Sequence, residues 1–381
     1  MRGFMLTSGS CRVVDVLILG AGPAGSGLAI ALKRAGVAEV LLIDRPATRP
    51  FRMGESAAPG LGPLLRRLGL DDRLDGRRHR PCHGNLLVWG EPAPAAEDFM
   101  RRASGPGWHL DRETFDLWLK AEAAAAGAEL LSPASLATIR RDGECWQADI
   151  RAADLKTEVK TRWIVDATGR PAAIARRLGA RLNRLDQLIS LAVLTEPAAS
   201  SGFDGFSMVE GVEIGWWYAS RLPGGEAVVA LMTDADLARE ADLRSPGVFG
   251  RAWAETSEIG RLVPVPDHLR RPVVFAAGTQ FIDRAIAPGW LALGDALIAL
   301  DPLSASGVTG AFEDAIVAAD TLARLLDIPD RGEARDLRFS YAARANATLR
   351  RFLLERRAIY GAERRWSKNS FWQRRAVAMT P

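Results

Sequence analysis

The segment Gly20-Ala21-Gly22-Pro23-Ala24-Gly25 decides the fold of this chain. It follows the apolar run 13–19 directly, and a helical stretch from Ser26 to Ala35 comes after it. A second apolar run, 40–43, ends in the carboxylate Asp44, about 20 residues beyond the glycines. This order of strand, glycine turn, helix, strand and acid predicts a βαβ unit that binds a dinucleotide.

Each residue type in this motif has a physical reason. Gly20 permits the tight turn, Gly22 lets the backbone approach a pyrophosphate, and Gly25 lets the helix pack closely on the strand. The helix N-terminus offers free N–H groups and the positive end of its dipole to the phosphates. Asp44 is predicted to accept hydrogen bonds from ribose hydroxyls. The motif alone leaves the identity of the dinucleotide open.

Length and composition narrow the class of protein. The chain has 381 residues and a net charge of +4, which allows two domains or one elaborated domain. No apolar stretch reaches the ~18 residues of a membrane span, and residues 1–12 lack the features of a signal peptide. We therefore expect a cytoplasmic protein. Cys11, Cys82 and Cys145 lie far apart without metal-site spacing, so we expect no metal.

Basic residues cluster near the C-terminus, where only Glu355 and Glu363 oppose them from Asn346 onward. The cluster fits either a solvated helix face or a docking surface for an acidic partner. No nucleic-acid-binding motif accompanies the charge, so nucleic acid is not an expected partner. The basic residues are Arg344, Arg350, Arg351, Arg356, Arg357, Arg364, Arg365, Lys368, Arg374 and Arg375.

Glycine-punctuated segments between 188 and 233 alternate at period two and predict a second sheet, apart from the nucleotide-binding core. The chain then returns through an apolar strand and two long helices, about 304–326 and 335–360. We predict an α/β protein: a Rossmann-like domain with an inserted, mostly antiparallel substrate sheet and a C-terminal helical segment. The expected parts are 1–80, 111–180 and 281–330 for cofactor binding, 81–110 and 181–280 for the substrate domain, and 331–381 for the basic helical segment.

Three further segments bear on the cofactor. The turn 166–170, Asp-Ala-Thr-Gly-Arg, follows an apolar strand. Gly294 permits close backbone approach to a ligand, and Asp295 is suited to accept from ligand hydroxyls. The segment Asp301–Val308 leads into a helix whose N-terminal dipole would stabilise negative charge on a ligand. An ordinary helix cap explains that last segment equally well and is compatible with cofactor binding.

Together these motifs resemble the two-domain flavoprotein monooxygenases of the para-hydroxybenzoate hydroxylase type, which use FAD. The resemblance implies that Arg112 reaches the phosphates, Asp295 meets the ribityl chain and Pro302–Val308 border the flavin ring. The implied cofactor-binding residues are Gly20, Gly22, Gly25, Asp44, Arg52, Arg112, Asp166, Gly169, Asp295, Pro302, Gly307 and Val308.

Shorter motifs indicate which branch of the superfamily the chain resembles. Gly54-Glu55-Ser56 resembles the loop that flavin-dependent tryptophan halogenases and geranylgeranyl-reductase-like proteins place beside the flavin. Halogenases also carry a lysine and a W-x-W-x-I-P signature. Here the stretch 78–89 holds no lysine, and 215–223 reads Gly-Trp-Trp-Tyr-Ala-Ser-Arg-Leu-Pro. Both departures argue against halogenation.

The segments 107–112, 115–116, 215–218, 363–366 and 371–372 resemble the maturation flavoproteins of tryptophylquinone enzymes. These are the monooxygenase of the quinohemoprotein amine dehydrogenase cluster and the flavoproteins that partner lysine and glycine oxidases. The resemblance implies hydroxylation of a peptidyl tryptophan in a quinoprotein subunit precursor, through a flavin C4a-hydroperoxide formed with molecular oxygen. Reduced nicotinamide or a separate flavin reductase would supply electrons, and the oligomeric state stays open.

The chemistry needs a proton acceptor and a pocket for the substrate. Glu55, His83 and His109 are the candidate catalytic residues. The aromatic run Trp216, Trp217 and Tyr218 either lines the substrate pocket or belongs to the core. Rival functions are a small-molecule hydroxylase or halogenase-like tailoring enzyme, an alkene reductase of the geranylgeranyl-reductase type, and a non-catalytic binding protein.

Overall fold

The computed structural model describes residues 11–45, 51, 53–70, 74, 78–99, 105–152, 155–196, 204–328 and 330–376. Its strands, in chain order, are β1 (Arg12–Leu19), β2 (Val40–Ile43), β3 (Ser56–Ala57), β4 (His79–Cys82), β5 (Gly84–Val88), β6 (Ala95–Asp98), β7 (Gly107–Leu110), β8 (Glu129–Leu131), β9 (Ser135–Asp142), β10 (Cys145–Ala152), β11 (Leu155–Asp166), β12 (Leu182–Arg184), β13 (Leu188–Thr195), β14 (Phe206–Val212), β15 (Gly215–Arg221), β16 (Ala227–Asp234), β17 (Val273–Ala276), β18 (Gln280–Ile282), β19 (Ile286–Ala287), β20 (Trp290–Ala292) and β21 (Ile298–Ala299).

The helices connect and cover these strands. In chain order they are α1 (Pro23–Arg34), α2 (Leu61–Arg67), α3 (Arg112–Ala125), α4 (Ala173–Arg177), α5 (Ala235–Glu240), α6 (Pro246–Ala254), α7 (Ile259–Leu262), α8 (Gly307–Asp327), α9 (Arg331–Ala362) and α10 (Ser370–Ala376). Short 3-10 turns occupy Gly294–Ala296 and Pro302–Ser304.

The first sheet is built on the predicted βαβ unit. Strands β8, β2, β1, β11 and β20 lie side by side in parallel, while β9, β10 and β19 extend the sheet in antiparallel pairing. Every residue of β2 is buried, as expected for a parallel strand covered on both faces. Gly27 on α1 leaves room for Phe312 and Ala315 of α8, so these two helices pack closely over the sheet.

The second sheet has the strand order β17-β13-β16-β15-β14-β5-β6 and is antiparallel except where β14 meets β5. Its period-two pattern sends adjacent side chains to opposite faces. Trp217 packs on one face against Phe249, with ring centroids 5.0 Å apart. Trp216 on the other face donates a hydrogen bond to the Tyr360 hydroxyl of α9.

Two smaller elements join the sheets. The three-stranded sheet β3-β7-β4 pairs Ser56 with His109 and brings the 54–59 loop against the second sheet. Helix α9 spans both sheets, since Tyr341 bonds the Ala292 carbonyl of β20 while Tyr360 packs under the second sheet. The predicted α/β fold, with its inserted sheet and C-terminal helical segment, is thus confirmed. Within the described residues, no helix is long and apolar enough to cross a bilayer.

Candidate functional site

The glycine turn has the geometry that the sequence predicts. Gly20 has a φ of +107°, and a Cβ there would lie 2.3 Å from the Ala167 carbonyl oxygen. A Cβ on Gly25 would lie 1.8 Å from the Gly20 carbonyl oxygen. At Gly22 a Cβ would meet nothing within 4 Å, and no side chain caps the first N–H groups of α1. The turn therefore leaves an open cradle of N–H groups, which suits a pyrophosphate.

Asp44 ends β2 beside this cradle. Its Oδ1 accepts from the Ala21 N–H at 3.2 Å, and its Oδ2 pairs with Lys120 Nζ at 2.5 Å. Lys120 lies on α3, and the sequence analysis did not identify it because no motif links it to Asp44. A carboxylate held in this way against the turn can accept from ribose hydroxyls.

Arg112 is the first residue of α3, whose N-cap Asp111 accepts from the Thr114 N–H. Its guanidinium donates to the Met53 and Gly54 carbonyls and pairs with Asp116 on its other side. Arg112 thus connects the Gly54 loop to the cofactor half of the molecule.

Gly294 and Asp295 lie against the same turn. Gly294 donates its N–H to Asp314, and a Cβ on Gly294 would be 2.8 Å from the Ala24 methyl group. Burial raises the pKa of Asp295, and the positive charges of Arg170 and Arg112 oppose that shift. No donor from the described chain bonds the Asp295 carboxylate, so it is available to a ligand hydroxyl.

The structure corrects the expected role of Asp166. Its side chain is fully buried, and its oxygens accept from the Thr168 N–H and hydroxyl and from the Ile174 and Ala175 N–H groups. It holds the start of α4 instead of contacting a cofactor. Gly169 beside it has a φ of +73° with open space at the Cβ position.

Arg170 follows Gly169 and was missed by the sequence analysis. Its Nη2 donates to the Gly278 carbonyl, whereas its buried Nε has no partner among the described residues. Burial lowers the pKa of Arg170, and the carboxylates of Asp295, Asp186 and Asp301 oppose that shift.

The segment 301–306, which precedes α8, forms a further part of the site. The Asp301 side chain accepts from the Leu303 N–H, and Ala305 adopts a φ of +48° before α8 begins at Gly307. Pro302 and Gly307 are exposed and Val308 is buried. Their contact with a flavin ring stays a prediction. Arg52 lies outside the described residues.

A cavity of about 290 Å³ lies between these loops, the second sheet and α9. The loop 56–59 and the segment Asp301–Ser306 form one side, and residues of β4, of the second sheet and of α9 form the others. Its remaining lining residues are Cys82, Asn85, Glu97, Phe99, Ser207, Phe352, Glu355, Arg356 and Ile359.

A chain of hydroxyl groups leads away from the cavity wall. Ser56 Oγ is 2.6 Å from the Tyr218 hydroxyl and 3.3 Å from Ser207 Oγ. Burial, followed by the charge and the hydrogen bond of Glu55, raises the pKa of Tyr218 well above its usual value. On the other side Ser207 Oγ is 3.0 Å from His109 Nε2. The cavity is therefore connected through Ser56 and Tyr218 to the buried carboxylate of Glu55.

The two candidate histidines do not line the cavity. His83 is exposed, beside Gly205. His109 is buried behind Ser207, and burial, with Arg80 and His83 nearby, lowers its pKa to about 4. A neutral, enclosed imidazole can orient Ser207 but cannot touch a substrate, so the predicted direct role of His109 is corrected. The role of His83, which does not line the cavity, stays a prediction.

The alternation of side chains along β15 shows where the residues of the aromatic run lie. Trp216 and Trp217 are each 1% exposed, on opposite faces of the sheet, and form part of the core. The prediction that they line the substrate pocket is wrong, because neither has surface to offer. Tyr218 alone reaches the site, through Ser56.

A buried ion network closes the far wall. Arg356 of α9 donates to Asp301 at 3.2 Å and to Asp186 at 3.0 Å, and the Tyr360 hydroxyl donates to Asp301 at 2.8 Å. These residues come from distant parts of the sequence, and only their tertiary contacts reveal the network. It fixes α9 against the segment that precedes α8.

No lysine can reach the cavity. The chain has five, all within the described residues: Lys33, Lys120, Lys156, Lys160 and Lys368. The first four bond Ala38, Asp44, Asp149 and Asp142, and Lys368 lies exposed near the C-terminus. The chain thus lacks the lysine that the halogenase resemblance requires at the site.

The residues present fit FAD. The open cradle at Gly22, the acceptor Asp44, the unbonded carboxylate of Asp295 and the unpartnered Nε of Arg170 are groups that suit the phosphates and hydroxyls of a dinucleotide. Bound FAD would bring redox chemistry to the mouth of a cavity whose wall supplies hydroxyl groups.

Comparisons with known proteins agree with this geometry. Residues 13–352 match the family model for the FAD binding domain. LodB of Marinomonas mediterranea, assigned as an FAD-dependent oxidoreductase, is 27% identical over 365 residues, covering 95% of this chain and 96% of LodB.

Two solved structures share the fold. The flavin-dependent brominase Bmp2 is 21% identical, with a TM-score of 0.80 over 94% of this chain and 91% of that one. The peptidyl tryptophan dihydroxylase QhpG, essential for tryptophylquinone cofactor biogenesis, is 24% identical, with a TM-score of 0.76 over 97% of this chain and 81% of that one. The glycine cradle, the paired acid and the match over most of the chain lead to one conclusion: the protein belongs to the FAD binding domain family and is a flavin-dependent oxidoreductase.

Proposed function

We propose that this protein is an FAD-dependent monooxygenase that hydroxylates a tryptophan side chain within a partner protein, as a step of tryptophylquinone biogenesis. The observation that carries the proposal is the cavity beside the cofactor loops, walled by hydroxyl groups and without a lysine. Its volume of about 290 Å³ is near the lower end for ligand pockets and suits one aromatic side chain.

Similarity supports the same assignment. LodB aligns over nearly the whole of both chains, and QhpG acts on a peptidyl tryptophan. The sequence segments at 107–112 and 215–218 resemble the maturation flavoproteins rather than the halogenases.

Bound FAD would supply two electrons and activated oxygen, so that one oxygen atom enters an indole C–H bond and the other leaves as water. The chain's own residues position the indole, exclude water and remove the proton that the C–H bond releases. Ser56 lines the cavity and accepts that proton, because its hydroxyl is backed by Tyr218 and then by Glu55. Glu55 is the terminal acceptor of this relay, while neutral His109 orients Ser207.

The central test uses the purified protein loaded with FAD, a reductant and isotopically labelled dioxygen. A tryptophan-containing precursor subunit of a quinoprotein is offered beside free tryptophan, simple phenols and bromide. We expect mass spectrometry to show labelled oxygen on a tryptophan of the subunit. Oxygenation of the free aromatics alone would favour a small-molecule hydroxylase, and a brominated product would favour halogenation; either contradicts the proposal.

Tyr218→Phe tests the relay, because it removes the hydroxyl that connects Ser56 to Glu55 and keeps the ring. The rate of oxygen transfer is expected to fall about 100-fold, in the range of general acid–base contributions, with FAD occupancy unchanged. Glu55→Gln, which removes the terminal acceptor, should lower the rate by a similar factor.

Tyr341→Phe is the matched control, since it removes a buried hydroxyl that bonds the Ala292 carbonyl of β20 and takes no part in the relay. Its rate of oxygen transfer should match that of the wild type. A Tyr218→Phe variant with an unchanged rate would exclude the relay.

A further inference from the structure

We propose that Asn85 recognises the substrate through its side-chain amide oxygen, which accepts a hydrogen bond from the N–H group of an indole ring. Asn85 lies on β5 and lines the cavity. The inference rests on the proposed function, in which the reacting group is a tryptophan side chain. Asn85 would then select an aromatic ring that carries an N–H donor over rings that lack one.

The side chain of Asn85 lies on the face of the second sheet that meets α9. Side chains alternate between the two faces of a strand, so Asn85 shares a face with Leu87 and not with Leu86. Leu87 packs in the cluster that includes Tyr360 of α9, whereas Leu86 packs in the cluster on the opposite face. Asn85 is therefore directed to the side of the sheet where α9 and the segment 301–306 enclose the cavity.

A row of polar side chains crosses this face from β6 through β5 to β14. Asn85 is paired with Glu97 of β6 on one side and with Ser207 of β14 on the other. All of these residues line the cavity. Neighbouring strands lie about 5 Å apart, so side chains paired across them are close neighbours on one face. The row gives this wall of the cavity a line of hydrogen-bonding groups.

Glu97 fixes the orientation of the Asn85 amide. The Asn85 Nδ2 group donates to Glu97 Oε2 at 3.0 Å. An ionised carboxylate only accepts hydrogen bonds, so the NH2 end of the amide faces Glu97 and the amide oxygen points elsewhere. No donor among the described residues bonds that oxygen. The cavity is thus lined by an amide whose acceptor end is available to a ligand.

The bond to Glu97 also makes the amide oxygen a stronger acceptor. Hydrogen bonds in a chain polarise one another, so donation to a carboxylate shifts electron density towards the oxygen of the same amide. Apolar side chains of Leu303, Phe352 and Ile359 line other parts of the cavity. A small-ligand site commonly combines such apolar surface with a few directed polar groups. An aromatic ring buried here would have its orientation fixed by Asn85.

Asn85 and the proposed proton relay lie on either side of Ser207. Ser207 Oγ is 3.3 Å from Ser56 Oγ, and Ser207 is paired with Asn85 across β14 and β5. The acceptor for the N–H group and the acceptor for the released proton are thus separated by one side chain of the wall. One indole can reach both, because its N–H group and the C–H bonds of its six-membered ring lie on different edges of the same molecule.

The hydrogen bond from the indole to Asn85 should also increase the rate. When an oxygen atom adds to the ring, the indole nitrogen shares the positive charge that develops, and its N–H group becomes a better donor. A bond that strengthens in this way stabilises the transition state more than the bound substrate, so it raises kcat as well as affinity.

The test compares two ligands that differ only in this donor. The probes are N-acetyltryptophan amide and its benzothiophene counterpart, in which sulfur replaces the indole N–H group. Isothermal titration calorimetry with the FAD-loaded protein measures the affinity for each probe. We expect the indole to bind about tenfold more tightly, because the sulfur analogue covers the Asn85 oxygen without offering it a donor. The benzothiophene ring is the more apolar of the two, so burial alone predicts the opposite order.

Asn85→Leu removes the acceptor and keeps a side chain of similar size. In this variant the preference for the indole should disappear or reverse, and oxygen transfer to the precursor subunit should slow about tenfold. Asn183→Leu is the matched control, since Asn183 is a half-buried residue of β12 that does not line the cavity. The control should keep the preference of the wild type. FAD occupancy and the midpoint of urea unfolding show whether each variant is folded.

Several results would overturn the proposal. Equal affinity of the wild type for the two probes, including no measurable binding of either, does so without any need for the variant to fold. An indole preference that survives in Asn85→Leu, or that is lost equally in Asn183→Leu, has the same consequence. Tighter binding of N-acetyltyrosine amide than of the indole would also contradict selection of an N–H donor.

Product analysis separates this inference from the proposed function. Labelled oxygen on the tryptophan of the precursor subunit, together with equal binding of the two probes, would exclude the role of Asn85 and leave the proposed function standing. An indole preference that depends on Asn85, without oxygen transfer to any tryptophan, would support recognition by Asn85 and contradict the proposed function.

Discussion

Gly25→Val is expected to abolish stable FAD binding. A Cβ at this position would lie 1.8 Å from the Gly20 carbonyl oxygen, so the turn must open by more than an ångström to admit it. Overpacking of this kind costs about 1–3 kcal/mol, and opening the turn also moves the N–H groups that face the pyrophosphate. FAD affinity should fall about 10- to 100-fold or more, measured by flavin absorbance after dialysis and by titration of the apoprotein.

The control is Gly247→Ala, at a glycine near the start of α6. A Cβ there has Arg251 as its nearest neighbour at 3.8 Å, and the backbone is helical. This variant should bind FAD normally and gain about 0.5–1 kcal/mol of stability, because alanine favours a helix over glycine. Full flavin occupancy in Gly25→Val would show that the turn does not hold the cofactor.

Local chemistry explains why the cofactor half could be predicted from sequence. Gly20 and Gly25 are required by backbone geometry, and Asp44 follows at a distance fixed by one helix and one strand. These constraints join residues that lie within about 30 positions of each other, so their spacing in the sequence is enough to identify the motif. The second sheet was likewise visible because period-two alternation is a local signal.

The residues around the cavity depend on tertiary contacts that no spacing reveals. An aromatic run on a strand predicts packing on one face or both, and only the observed register assigns Trp216 and Trp217 to two different cores. Asp166 has the residue type of a ligand contact, but the turn that follows folds back and uses both of its oxygens. Arg356 lies among surface arginines in the sequence, yet it is buried and pairs with Asp186 and Asp301.

Arg356→Leu is expected to produce the largest loss of stability among single changes near the site. Arg356 is 5% exposed and is the shared partner of Asp186 and Asp301, so its removal leaves two buried carboxylates without their main counter-charge. Breaking a buried pair in this way costs about 3–5 kcal/mol. Urea denaturation of the variant and the wild type, each with FAD bound, measures the difference.

The loss should depend on pH in a definite direction. Burial raises the pKa of Asp186 already in the wild type, while Arg356, and more weakly Arg375, oppose that shift. Without Arg356 the pKa of Asp186 rises further above its unfolded value, so the folded variant binds more protons than the unfolded chain. Its stability then falls as the pH rises through that interval, which makes the deficit larger at pH 8 than at pH 5.

Arg181→Leu provides the comparison, because Arg181 pairs with Asp283 at 2.8 Å but is exposed. Water solvates the remaining carboxylate there, so the midpoint of unfolding should barely change and should not acquire a pH dependence. A deficit in Arg356→Leu that is small, or equal at both pH values, would mean that the carboxylates find other compensation. In that case the ion network would not hold α9 against the segment preceding α8. The apolar packing of Tyr360 and Phe371 alone would then position the cavity wall.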